Sequence, residues 1–304
     1  MTDQALLLDP EKVRLGITPT LWWNDDFPLI DAGFTFGQCV SEMALAGFQG
    51  CSIGHKYPTD RAVLKRELDL RGLQVSEPWA STFFTVKDME QQTLKTFHEQ
   101  LELVRAMGGT DMVVAELGAA VHQQPVALFA NAPEFDDRQW EALSTGLNRL
   151  GEIANAEGMQ LCYHHHMGTG VMMRPDLDRL MESTDPSLVY LLLDTGHMAF
   201  AGEDPLSAAE AYGDRIKHIH LKDVRQDVAK RVRQDNLSFQ DGIEAGVFTV
   251  PGDGGLDLAP VLEALARHGF EGWLVVEAEQ NPAKAHPLEH ALMARKWLRE
   301  VLGW

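Results

Sequence analysis

Cysteine is scarce: Cys39, Cys51 and Cys162 are all that 304 residues contain. An odd number, each in an apolar stretch, excludes the paired framework of a small disulfide-stapled secreted chain. They read as reduced, buried thiols. Long apolar runs are also missing. No stretch reaches membrane-spanning length, and Met1 to Pro10 lacks the basic region and apolar run of a secretory leader. The expectation is a cytoplasmic protein with no membrane partner. Basic residues are few, 26 against 45 acidic, for a formal net charge of -19. Such a field repels polyphosphate at long range, so no nucleic acid partner is expected, whereas a neutral small molecule is little affected. No proline-rich or serine-rich linker splits the chain, and no repeat of 20 to 50 residues stands out.

What is present is alternation. Short β-rich runs are separated by longer segments of helical period, the pattern of a parallel sheet with crossover helices. Eight runs are counted: Val13 to Thr18, Gly50 to Gly54, Leu73 to Glu77, Asp111 to Glu116, Met159 to His164, Leu188 to Asp194, Ile216 to Leu221 and Trp273 to Ala278. Leu64 to Leu70, Leu94 to Met107, Trp140 to Ala156, Leu206 to Tyr212 and Val261 to His268 carry the helical period between them. Several end beside Gly72, Gly108, Gly158 or Gly269, as left-handed C-caps do. Length and alternation together predict an α/β fold, a single-domain (β/α)₈ TIM barrel spanning residues 1–304. Asn236 to Gly255 is too long for an ordinary connection and is expected to form a lid or a small hairpin, unless it is a surface insertion.

In such a barrel the active site lies at the carboxyl ends of the strands. Polar residues collect there: Thr18, His55 with Lys56, Glu77, Glu116, His164 with His166, Asp194 with His197, His220 with Lys222 and Asp223, then Glu277 with Glu279. Packing alone has no use for carboxylates and imidazoles at most strand ends, since each loses hydration there. A divalent metal removes that difficulty, and mixed oxygen and nitrogen donors suit Mn²⁺, Co²⁺, Zn²⁺ or Fe²⁺.

Asp194 ends an apolar strand with His197 one turn later; as a pair they could also be a helix N-cap and an incidental histidine. In His218-Ile219-His220 alternation puts both histidines on one face, so His220, nearer the mouth, is the candidate ligand and His218 a core histidine. Glu277 directly follows the last apolar run and is assigned to the metal, while Glu279 is read as solvated. In His164-His165-His166 the outer two share a face and His165 turns away. A coordinating role is expected for at least one of that pair.

Asp194-x-x-His197, His220-Leu-Lys222-Asp223 and Glu277 resemble the xylose-isomerase-like barrel superfamily of sugar epimerases, endonuclease IV and several dehydratases. Within it, Gly16 to Pro19 with Trp22 to Asp26, Gly54 to Pro58, Tyr163 to Thr169, Gly246 to Gly254 and Val276 to Pro287 resemble the inosose dehydratase family. The resemblance runs from about Val13 to the C-terminus. It implies His164 as a fourth ligand beside Asp194, His220 and Glu277, with Mn²⁺ or Co²⁺ expected. It also implies loss of water from 2-keto-myo-inositol, a polyol ketone. The sugar epimerases carry a Glu where His164 stands, which counts against a metal-dependent epimerase or isomerase, the alternative within the superfamily.

For the proton beside the ketone, His197 is the first candidate base, with Glu279 or Glu116 as alternatives. Lys56, Lys222 or water would assist the departing hydroxyl. Trp22, Trp23, Tyr57, Trp79 and Phe248 could wall the polyol or be plain core. An abasic-site endonuclease and a metal-free binding barrel are the readings from other classes. The aromatic end, Trp297 to Trp304, could pack on its own barrel or on a second copy in a homo-oligomer.

Overall fold

The computed structural model describes residues 8–304. Eleven strands are formed: β1 (Val13–Ile17), β2 (Gly50–Cys51), β3 (Gln74–Val75), β4 (Trp79–Thr82), β5 (Asp111–Glu116), β6 (Gln160–His164), β7 (Val189–Asp194), β8 (Ile216–Leu221), β9 (Asp223–Val224), β10 (Phe248–Thr249) and β11 (Gly272–Val276). Nine of them join in the order β3-β2-β1-β11-β8-β7-β6-β5-β4, all parallel, and β9 with β10 makes a separate antiparallel pair. The two ends of the larger sheet, β3 and β4, are consecutive in the chain. They are halves of one barrel strand, the first paired with β2 and the second with β5. Pro78 lies at the break, where a residue without an N–H cannot continue the ladder.

The fold is therefore the expected α/β TIM barrel, with its third strand interrupted rather than ending at Glu77. Apolar period located Arg61–Asp69, Glu90–Met107, Asp137–Ala156, Pro205–Tyr212 and Ala259–Arg267, and missed Phe36–Ala46, Arg174–Ser183 and Pro287–Leu302. The helix expected at Trp140 begins at Asp137, because Asp136 and Gln139 form a reciprocal capping box. Gly72, Gly108, Gly158 and Gly269 all have positive φ, as their expected cap positions require. Among the described residues no helix is long and apolar enough to cross a membrane.

Outward-facing strand residues such as Ile219, Leu221, Leu274 and Val276 pack against the helices in one large cluster. A second cluster lies behind β4 to β6. The barrel interior holds little apolar material. Val113, Cys162 and Leu192 form one small layer, and Trp273 fills the floor, where Gly50 makes room for it. A Cβ on Gly50 would lie 2.4 Å from the Trp273 ring. Above the mouth Phe27, Met167, Phe200, Phe239 and Phe248 form a further cluster, which seals the upper rim. The C-terminal helix Pro287–Leu302 packs on its own barrel: Leu298 and Leu302 are buried in the large cluster, with Trp297 and Trp304 against it.

Candidate active site

At the carboxyl end of the barrel a cavity of about 140 Å³ opens. One wall is Glu77, His164, His166, His197, His220, Glu277 and Glu279; the other is Thr18, Thr20, Asn24, Asp25, Asp26 and Ser52. Trp79, Pro78, Ile53 and Val113 supply its apolar surface. The strand ends bring His164, Asp194, His220 and Glu277 together, each buried, with one donor atom from each within 4.8 Å of all the others.

Asp194 and His220 are held from behind. Asp194 closes β7 and is also the N-cap of the helix Thr195–Ala201: Oδ1 accepts from the His197 N–H at 2.8 Å, while Oδ2 faces His164 Nε2 at 3.2 Å. Cap and site residue are thus one side chain using different oxygens. The Asp194 backbone N–H donates to His165 Nε2 at 3.2 Å. His165 points away from the cavity and ties β6 to β7. Burial, followed by the neighbouring His164, lowers its pKa to about 3, so it is the neutral acceptor this bond needs.

His220 donates from Nε2 to Glu77 Oε1 at 3.4 Å, which leaves Nδ1 facing the cavity group. Glu77 Oε2 lies 3.3 Å from His218 Nε2, a charge contact without hydrogen-bond alignment, and His218 Nδ1 meets Asp111 Oδ2 at 2.9 Å. His218 is thus the buried core histidine expected, set between two carboxylates. The chain Asp111, His218, Glu77, His220 is invisible to strand-end counting, because Asp111 sits at the opposite end of β5.

The geometry fits a divalent ion. His220 Nδ1 and Glu277 Oε2, both buried, approach within 2.7 Å without the alignment of a hydrogen bond. Burial opposes the shift, but Glu277 and Asp194 raise the His220 pKa well above the imidazole range, so positive charge is favoured beside these carboxylates and a metal ion would replace the proton there. Burial alone would raise the pKa of Asp194, but His197, Lys222 and the hydrogen bonds of His164 and His220 hold it well below the carboxylate range. It is ionised, as a ligand must be.

Beside this group lie His166, His197 and Glu279. Glu279 is not solvated: it is buried, and its Oε2 accepts from Lys222 Nζ at 2.8 Å. Burial pushes its pKa up to about 8, with Lys222 opposing and Glu277 reinforcing the shift. Burial holds both His166 and His197 well below the usual imidazole range, so both are neutral at neutral pH. They differ in what is free. His197 Nε2 accepts from Lys222 at 2.9 Å, whereas His166 donates from Nδ1 to the Met167 carbonyl at 2.9 Å and keeps its Nε2 lone pair.

Placement corrects two expectations and decides a third. Lys56 does not line the cavity; its Nζ pairs with Asp31 at 2.7 Å and with the Phe34 carbonyl. Glu116 is consumed locally, accepting from Thr82, Phe84, Thr85 and Gly118, and organises the turn after β5. Of the five aromatics, Trp79 lines the cavity, while Trp22, Trp23, Tyr57 and Phe248 are buried core. Asn24 was not singled out. Its Oδ1 accepts from Asp26 N and Phe27 N at 2.9 and 2.8 Å, and Nδ2 is buried without a partner beside the cavity. A polar residue in the loop after β1 was the available signal.

A barrel with this donor set at its mouth defines a class. Residues 33–301 match the model for the xylose isomerase-like TIM barrel, and the chain belongs to that family. It is 50% identical to the inosose dehydratase of Geobacillus thermodenitrificans over 96% of this chain and 98% of that one. It is 48% identical to that of Clostridium tetani over 97% and 99%. Within the barrel family it therefore belongs with the inosose dehydratases. Among solved structures, the IOLI protein with a binding zinc atom superposes with a TM-score of 0.70 at 17% identity, covering 95% of this chain and 98% of that one. That likeness is one of fold.

Proposed function

We propose that the chain is a hydro-lyase that removes water from inosose, 2-keto-myo-inositol, with one divalent metal ion held by His164, Asp194, His220 and Glu277. The observation that carries the reading is the convergence of those four buried donors on the cavity, in a chain half identical to inosose dehydratases. Oxygen and nitrogen donors together suit Mn²⁺, Co²⁺, Zn²⁺ or Fe²⁺, and Mn²⁺ or Co²⁺ is the ion this reading expects. A bound ion supplies Lewis acidity at the ketone, which makes the neighbouring C–H acidic.

The protein's own groups handle the protons. His166 presents a neutral imidazole with Nε2 free in the cavity wall and is the proposed acceptor of the proton beside the ketone. This replaces His197, whose Nε2 is engaged by Lys222. Glu279, hydrogen-bonded to Lys222, is the proposed donor of a proton to the departing hydroxyl. The opposite wall of Thr18, Thr20, Asn24, Asp25, Asp26 and Ser52 offers donors and acceptors for ring hydroxyls, with Trp79 covering an apolar edge. Three free, buried cysteines support a cytoplasmic setting.

The test is an assay of inosose in D₂O. His166→Gln should lose dehydration by about 10²–10⁴-fold and lose solvent-deuterium exchange beside the ketone with it. Retained exchange would move the base elsewhere, and interconversion of isomers without loss of water would favour an epimerase.

A further inference from the structure

Lys222 is completely buried, with its Nζ set among three carboxylates and an imidazole. Its Nζ lies 2.8 Å from Glu279 Oε2, 2.9 Å from His197 Nε2, 3.0 Å from Glu277 Oε2 and 3.1 Å from Asp194 Oδ2. An ammonium has three protons and here meets four acceptors, so it acts as a compact point charge more than as a directed donor. The fold is shaped to admit it. A Cβ on Gly196 would lie 2.4 Å from Lys222 Cγ and 2.6 Å from Cδ, and the Phe248 ring sits 4.7 Å from Nζ.

The four partners divide in a telling way. Asp194 and Glu277 belong to the group assigned to the metal. His197 and Glu279 belong, with His166, to a second group whose donor atoms also lie within 4.8 Å of one another. The two groups have no residue in common, and Lys222 Nζ is in reach of members of both. Within the second group it touches His197 and Glu279.

We propose that Lys222 is a resident cation occupying the second site of a two-ion donor set, so that the chain binds one metal ion where its carboxylates and imidazoles alone would bind two. The proposal rests on the reading of His164, Asp194, His220 and Glu277 as the first metal site. A single positive charge beside Asp194, Glu277 and Glu279 offsets these carboxylates without ligating His166, which stays available for proton transfer. It also cannot be lost to a chelator, unlike an ion.

The experiment counts ions. Purified protein is dialysed against Mn²⁺, and metal per chain is measured by elemental analysis alongside the electron paramagnetic resonance spectrum. Wild type should hold one isolated Mn²⁺. Lys222→Ala should hold two, with the signature of a spin-coupled pair, and adding Glu279→Gln to it should return the count to one. Two ions in wild type, or one in folded Lys222→Ala, would overturn the proposal; no ion in wild type would overturn the metal reading as well. If Lys222→Ala is unfolded without metal, it is refolded in excess Mn²⁺. Recovery with two ions per chain supports the proposal, and failure to recover contradicts it.

Discussion

Asn24 illustrates how the backbone can orient a side chain for a ligand. Two N–H groups claim Oδ1, which fixes the carboxamide and commits Nδ2 to the cavity side. Asn24→Asp keeps the acceptor that holds the turn and replaces the NH₂ with an oxygen. We expect KM for inosose to rise by about tenfold or more, the cost of one lost donor, with little change in melting temperature. An unchanged KM would show that Nδ2 does not meet the substrate. At this scale the sequence disclosed what alternation and strand-end position control: Asp194, His220 and Glu277 as candidate ligands, His218 as core and His165 turned away. It did not disclose which nitrogen of His197 or His166 is free, because that depends on Lys222 and the Met167 carbonyl. Nor could it show that Glu116 is spent on its own turn, or that Glu279 is buried.

Among the elements, the stretch from residue 236 to 255 was legible as an exception but not as a shape. It forms a short helix, Phe239–Glu244, and then β10, which pairs with β9 as a small antiparallel ribbon. Phe239 and Phe248 from this stretch pack on His197, with ring centroids 6.1 and 5.3 Å away. Asp223 pins its far end: Oδ1 accepts from Val224 N and Leu256 N, and Oδ2 from Gly252 N and Gly254 N. A Cβ on Gly254 would lie 2.2 Å from Asp223 Oδ1, so the close approach requires glycine there. Asp223→Ala strands four backbone donors and should cost about 2–4 kcal/mol in denaturant unfolding. A loss below about 0.5 kcal/mol would show that the loop is held by its aromatic packing instead. The interruption of the third barrel strand escaped sequence reading for a related reason. Pro78 marks a break, but only pairing with β2 and β5 shows that Gln74–Val75 and Trp79–Thr82 are one strand.

For the whole molecule, barrel closure places residues from eight strand positions around one mouth, and this explains why the fold was readable while the site's wiring was not. Alternation of strands and helices is a local signal repeated along the chain. The relay from Asp111 through His218 and Glu77 to His220 joins residues more than a hundred positions apart, and it exists only once the ring is closed. The same closure buries a concentrated set of carboxylates and imidazoles, whose burial is reasonable if a cation is part of the native state. The most direct test of the account is to strip the protein with chelator and titrate it with Mn²⁺ or Co²⁺ while following both bound metal and loss of water from inosose. The account predicts that activity disappears on stripping and returns in proportion to the first ion bound per chain. Full dehydratase activity in metal-free protein would contradict it.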